Sequence, residues 1–265
     1  MSIAESLLHQ PDLKQGAVSR IAMPEPNVDL EQDAEWCLVE TQEGWHEIRF
    51  HDYADLYEIP GLYERIFYEI LNCNSPATIR SLIEKHAREK DIQPSSLRVL
   101  DLGAGNGMVG EELVDMGAST IVGVDIVEQA KKATERDRPN TYTDYLVADM
   151  TDLSEAELDK LQSYRFNCLT CVAALGFGDI PTEVFLQAYQ LIQPQGLIAF
   201  NIKSTFMQEE DPTGFAMLIR RMIDEGILAV SSKIRYRHRL STSGNPLEYF
   251  AFLGRKMSEV PGALQ

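Results

Sequence analysis

The chain has 265 residues, 44% of them hydrophobic and 25% charged, enough apolar surface to bury a core and offset the entropy of ordering it. Its 41 acidic and 24 basic side chains leave a formal net charge of −17, which opposes a polyphosphate partner because nucleic-acid affinity comes largely from lysine and arginine displacing counterions. No apolar run approaches the roughly 20 residues that span a bilayer, the start MSIAESLLHQPDLKQG lacks a basic region ahead of a long apolar one, and four scattered cysteines do not make a disulfide scaffold. The expectation is a cytoplasmic protein with no nucleic-acid or membrane partner, one main domain carrying added elements.

Residues 1–35 are polar and broken by Pro11, Pro24 and Pro26, the composition of a loose N-terminal arm. Residues 36–97 form a region rich in Trp, Tyr and Phe and are expected to be helical, with apolar residues at helical spacing from Tyr63 to Leu71. Pro76 then opens a helix on Ile79, Leu82, Ile83 and Ala87, with Ser75 as its cap.

From Arg98 onward short apolar runs alternate with amphipathic stretches. Arg98 to Leu102, Thr120 to Asp125, Asp144 to Asp149, Arg165 to Cys171 and Gly196 to Ile202 read as strands joined by helical or looped crossovers. Strands that are apolar almost throughout imply a parallel sheet covered on both faces, hence an α/β, doubly wound, Rossmann-like fold. Ile227 to Leu240 and Leu247 to Lys256, separated by the turn-rich STSGNP, read as a closing hairpin, so the sheet should end with an antiparallel strand.

The chemistry concentrates in VLDLGAGNGMVGEELVDMG, a strand running through a glycine turn into a helix. Gly103, Gly105 and Gly107 let a ligand approach the main chain closely. The turn alone is ambiguous, because Gly105, Gly107 and Gly110 also satisfy the dinucleotide fingerprint G-x-G-x-x-G. Asp101 tilts the choice: a carboxylate at the end of the first strand suits a ligand with an ammonium group and repels a pyrophosphate. Asp125, closing IVGVDI, can accept both hydroxyls of a ribose, a role common to both ligand types. Asp149, closing YLVADM, can accept from an adenine amino group while Met150 packs on the base. Each aspartate alone is as readily a helix cap or turn residue; three at successive strand ends fall on the edge where open α/β sheets bind ligands.

DLGAGNG, VGVDI and VADM resemble motifs I, II and III of the class I S-adenosylmethionine-dependent methyltransferases. The likeness runs from about Arg98 to Lys256 and includes PQGLIAFNI as the fifth-strand motif. It also resembles, more narrowly, the Williams-Beuren-region methyltransferase-like subgroup. The resemblance implies a seven-stranded sheet with the last strand reversed, a methyltransferase domain over 98–265, and an N-terminal helical lid over 36–97. It implies S-adenosylmethionine as cofactor, with Asp101, Gly103, Ala104, Gly105 and Gly107 around the methionine moiety, Asp125 and Ile126 at the ribose, and Asp149 and Met150 at the adenine. The fifth-strand motif usually reads Pro-Gly-Gly; here it is Pro194, Gln195, Gly196.

The implied activity is methyl transfer to an oxygen, nitrogen or sulfur of a small-molecule acceptor. The alternatives are an NAD-dependent oxidoreductase and a catalytically silent protein that binds S-adenosylmethionine. A sulfonium carries its own reactivity, so the protein mainly has to align the acceptor, and no strong catalytic signature is required. The loop VAALGFGDI after the fourth strand offers no titratable group before Asp179, with Phe177 as a wall. Tyr53 and Tyr57, four apart on one helical face, are candidate lid residues. His46, His51 and His238 are the candidate bases, each more commonly a plain surface or core histidine. Cys168 and Cys171 form C-x-x-C on a strand, where residues three apart face opposite ways, so they read as core thiols and no metal is expected. In SKIRYRHRL, Lys233, Arg235, Arg237 and Arg239 alternate onto one face, expected to be the solvated side of an edge strand.

Overall fold

The computed structural model describes residues 20–261 except 27, 29, 43 and 209; residues 1–19 of the expected N-terminal arm lie outside the described residues. The described end of the arm and the segment after it differ from the expected loose chain and run of helices. A three-stranded antiparallel sheet comes first, ordered β1 (Arg20–Ala22), β2 (Trp36–Thr41), β3 (Gly44–Arg49). Its cause is a period of two in WCLVET, which puts Cys37 and Val39 into a core with Phe50 and Leu56. After a single 3-10 turn at Gln32–Ala34, α-helices begin at α1 (Tyr53–Glu58) and α2 (Leu62–Glu64), the latter running into a π-helical stretch, Arg65–Ile70.

α3 (Ser75–Glu89) forms on the predicted apolar positions, but Ser75 does not cap it. Asn74 occupies the cap position, and Ser75 Oγ sits 2.6 Å from both the Tyr236 hydroxyl and His238 Nδ1. A tertiary bond therefore displaced the local one.

The main sheet is assembled by β4 (Arg98–Leu102), α4 (Met108–Met116), β5 (Thr120–Asp125), α5 (Glu128–Asp137), β6 (Asp144–Val147), α6 (Glu155–Ser163), β7 (Cys168–Cys171), α7 (Thr182–Gln190), β8 (Leu197–Lys203), α8 (Phe215–Asp224), β9 (Leu228–Leu240) and β10 (Pro246–Lys256). Spatial order is β6-β5-β4-β7-β8-β10-β9, seven strands in all, with β10 antiparallel to both neighbours and the pairs from β6 to β8 parallel. This is the expected fold class. Successive side chains feed opposite faces: Leu100, Leu102 and Cys171 join the core with Phe185 and Phe200, whereas Val99 and Cys168 pack against Ile83 and Leu113. Cys168 and Cys171 are thus buried on different faces, and burial pushes both thiols up, Cys168 to about 12.

The turn into β8 keeps its shape without the second glycine. Gln195 takes φ 66°, the left-handed region glycine would occupy at less cost, and its N–H is satisfied by Lys256 O at 2.8 Å. The basic face of β9 departs from expectation at its end. Opposite Arg237 and Arg239 the pairing with β10 shifts register between Glu248 and Leu247, and Arg239 turns inward to 2% exposure. There it meets Glu35 at 2.5 Å, a pair buried on both sides.

Chain order reverses at β4, whose followers run to β5 on one side and β7 on the other. Loops leaving the carboxyl ends of these strands diverge there and open a crevice.

Candidate functional site

β4 delivers the glycine turn into that crevice. The N–H groups of Gly103 and Ala104 both bond Val124 O, at 2.9 and 3.2 Å, folding the chain sharply as it leaves the strand. Gly105 has φ 55°, and a Cβ placed on it would lie 2.6 Å from the Tyr57 hydroxyl, so a side chain here would collide with α1. Its carbonyl accepts Tyr145 at 2.7 Å and Thr134 at 3.0 Å, which fixes the turn from below.

A cavity of about 460 Å³ lies over this turn. It is lined by Gly103 to Asn106 from β4, Asp125 to Val127 from β5, Ala148 to Thr151 from β6, and Ala173, Ala174 and Gly178 to Pro181 from the loop after β7. Tyr53, Tyr57, Tyr63 and Tyr68 close it from the N-terminal side. Among the described residues its lining holds three aspartates and neither lysine nor arginine. Such a wall favours a cationic ligand and disfavours a pyrophosphate.

Asp125 accepts the Gly105 N–H at 2.8 Å through Oδ2 and the Val127 N–H at 2.9 Å through Oδ1, tying the ends of β4 and β5 together. Burial raises its pKa. Ile126 beside it is 65% exposed, an apolar surface at the cavity rim that a flat ring could cover. Asp149 is exposed, and Thr151 donates to its Oδ1 from both N–H and hydroxyl, at 2.8 and 2.7 Å; these bonds hold its pKa down and leave Oδ2 open. Met150 is buried behind it.

Asp101 sits one layer back. It is 1% exposed, does not line the cavity, and accepts Tyr142 and Thr170 hydroxyls at 2.7 Å each. Burial pushes its carboxyl up to about 6, while the two hydroxyl bonds pull the other way. Gly107, with φ 89°, lies at the start of α4 and also stands off the cavity. Phe177 lines a second, smaller cavity of about 30 Å³ that shares Tyr53, Tyr63, Ala173, Ala174 and Asp179 with the large one.

The candidate histidines part company. His46 is exposed on β3. His238 is a buried core residue, its pKa driven well below the usual value by burial. His51 lines the smaller cavity and not the large one, its Nδ1 3.1 Å from Oδ2 of Asp179, which lines both. Sequence reasoning missed this pair, and it missed the partners Tyr142, Thr170 and Glu64. They are far from their partners in the chain, so no local spacing announces them.

The model of the family described as "Methyltransferase domain" matches residues 75–222, more than half of the chain, and the chain belongs to that family. Ubiquinone biosynthesis O-methyltransferase of Neisseria meningitidis is 28% identical over 107 residues, 39% of this chain and 43% of that one. The protein of that name from Xanthomonas axonopodis pv. citri is 25% identical over 130 residues, 48% of this chain and 50% of the other. The matched part of the chain spans half or less of these relatives' length. Among solved structures, magnesium protoporphyrin IX methyltransferase of Synechocystis PCC 6803 with bound SAM aligns at TM-score 0.48 and 15% identity, over 68% of this chain and 79% of that chain. No helix among the described residues is long and apolar enough to cross a membrane.

Proposed function

We propose that the protein transfers the methyl group of S-adenosylmethionine to an oxygen, nitrogen or sulfur of a small-molecule acceptor. One observation carries the reading: the large cavity pairs the glycine turn with an aspartate-lined wall free, among the described residues, of lysine and arginine. A ligand bearing a sulfonium and an ammonium suits that wall, and a dinucleotide does not. When bound, the cofactor supplies an electrophilic methyl group that needs no further activation. Asp125 would accept hydrogen bonds from the ribose hydroxyls, Ile126 and Met150 would flank the base, and Asp149 Oδ2 would accept one from the adenine amino group. The Gly103 to Gly105 backbone would run beside the methionine moiety, with the Asp101 carboxyl one layer behind it, held by Tyr142 and Thr170. Residues 36–97 would act as the lid, Tyr53 and Tyr57 closing over the cofactor. The narrower Williams-Beuren-region subgroup rests on the motif resemblance alone.

Thermal-shift and calorimetric titrations with S-adenosylmethionine, S-adenosylhomocysteine and NADH test this, because a ligand bound only to the folded state raises the melting temperature. Stabilisation by the first two and none by NADH is expected. Tight NADH binding would overturn the cofactor assignment. Incubation of labelled cofactor with a metabolite extract then separates an enzyme from a silent binder.

A further inference from the structure

We propose that His51, held by Asp179, is the base that takes the proton from the hydroxyl of a phenolic acceptor. This rests on the reading of the large cavity as the S-adenosylmethionine site. The loop after β7 spends unusual backbone conformations to form the pair: Ala173, Gly176, Phe177 and Gly178 all have positive φ, at 58, 93, 54 and 86°. The result is that Asp179 folds back onto the wall shared by both cavities. Its Oδ2 lies 3.1 Å from His51 Nδ1 and accepts the Tyr53 hydroxyl at 3.4 Å.

With Nδ1–H directed at Asp179, Nε2 is the bare nitrogen, and it has no hydrogen-bond partner among the described residues. The small cavity beside His51 has room for a water or a hydroxyl group. Gln32 lines the same cavity, 6% exposed, and its Oε1 is buried with no partner among the described residues. A buried carbonyl left bare calls for a donor, and a hydroxyl is one. The walls around it are rings: Tyr53 and Phe177 stand 5.7 and 5.2 Å from the His51 ring, centroid to centroid, and Tyr63 lines both cavities. Flat apolar faces with a polar end suit an aromatic alcohol. A free phenol ionises near pH 10, so at neutral pH it arrives protonated and gains from a positioned base.

The step balances without another reagent. The acceptor O–H proton passes to His51 Nε2 as the oxygen bonds the methyl carbon; the carbon–sulfur bond breaks, its electron pair stays on sulfur, and the sulfonium leaves as a neutral thioether. The imidazolium, paired with Asp179, then releases its proton to solvent.

The test uses catechol as phenolic probe, methyl-labelled S-adenosylmethionine, calorimetry for cofactor affinity, and long-range 15N NMR of the protein bound to S-adenosylhomocysteine. Wild type should label catechol and show His51 as the Nδ1–H tautomer. His51→Gln should lose 100-fold or more in kcat with cofactor Kd within threefold, the range expected of a lost general base. Asp179→Asn should lose about tenfold and release the tautomer preference. The proposal is overturned by a His51→Gln variant at the wild-type rate, by a wild-type His51 protonated on Nε2, or by a wild type that binds cofactor yet leaves catechol unlabelled. A wild type that binds no S-adenosylmethionine fells the cofactor reading and this proposal with it, and calorimetry reports that outcome separately.

Discussion

Arg138 Nη1 lies 2.6 Å from Glu64 Oε1, and the same oxygen accepts Asn106 Nδ2 at 2.9 Å. One carboxylate from α2 thereby joins α5, through Arg138, to the glycine turn. Arg136 adds a second tie, donating to Tyr57 O at 3.1 Å. The N-terminal elements are fastened over the cavity at these points and packed there by the Tyr57 and Tyr63 rings, 5.1 Å apart.

Glu64→Gln should loosen that fastening. The Arg138 side chain is only 10% exposed, so losing its charged partner leaves a mostly buried guanidinium relying on the Glu111 carboxylate and Asn106 O. A loss of about 1 to 3 kcal/mol in denaturant unfolding is expected, below the cost of fully buried pairs. Amide exchange of residues 53–70 should quicken more than that of β4 and β5. Uniform exchange across the chain would show that the pair does not hold the N-terminal elements in place.

Asp125→Ala should weaken S-adenosylmethionine binding by about 1 to 3 kcal/mol, the cost of leaving buried hydroxyls without their charged acceptor. It also frees the Gly105 and Val127 N–H groups. Calorimetry on the folded variant measures this, and an unchanged affinity would remove Asp125 from the ribose site.

Asp101→Asn separates charge from shape, and pH makes the separation visible. The folded carboxyl titrates near 6 because of burial, against about 3.9 in an unfolded chain. The folded protein therefore binds the extra proton between those values, and this contribution to stability, present below about pH 4, is lost as pH rises through 6. The asparagine has no such loss. From pH 4 to 7 the variant should gain on the order of 2 to 3 kcal/mol relative to wild type without cofactor, while its affinity for S-adenosylmethionine falls. Parallel stability profiles for the two proteins would mean that Asp101 is not held in this way.

The Tyr57 hydroxyl reaches the glycine turn, with the Tyr53 ring stacked 6.1 Å away. If the hydroxyls order the cofactor or acceptor, Tyr57→Phe and Tyr53→Phe should each cost about 1 to 2 kcal/mol in binding or turnover at nearly constant melting temperature. Two fully active variants, or destabilised ones with unchanged binding, would reduce the rings to packing.

Local pattern sufficed where backbone chemistry is local. The runs Arg98 to Leu102 and Thr120 to Asp125 could be read as buried strands because burial on both faces demands continuous apolar residues. The glycines between Gly103 and Gly107 could be read as a ligand turn because few other residues tolerate their angles. The order of these segments also fixed the class of sheet and placed Asp125 and Asp149 on the cavity, since strand ends share one edge. Tertiary structure decided what depends on distant segments meeting. Ser75 left its capping role for His238, Arg239 left the solvent face for Glu35, and Asp101 withdrew behind Tyr142, each because a buried polar group must find its partner wherever the fold brings one. His51 and Asp179 lie 128 positions apart in the chain. No periodicity spans that interval, and only the strained loop after β7 brings the two side chains together.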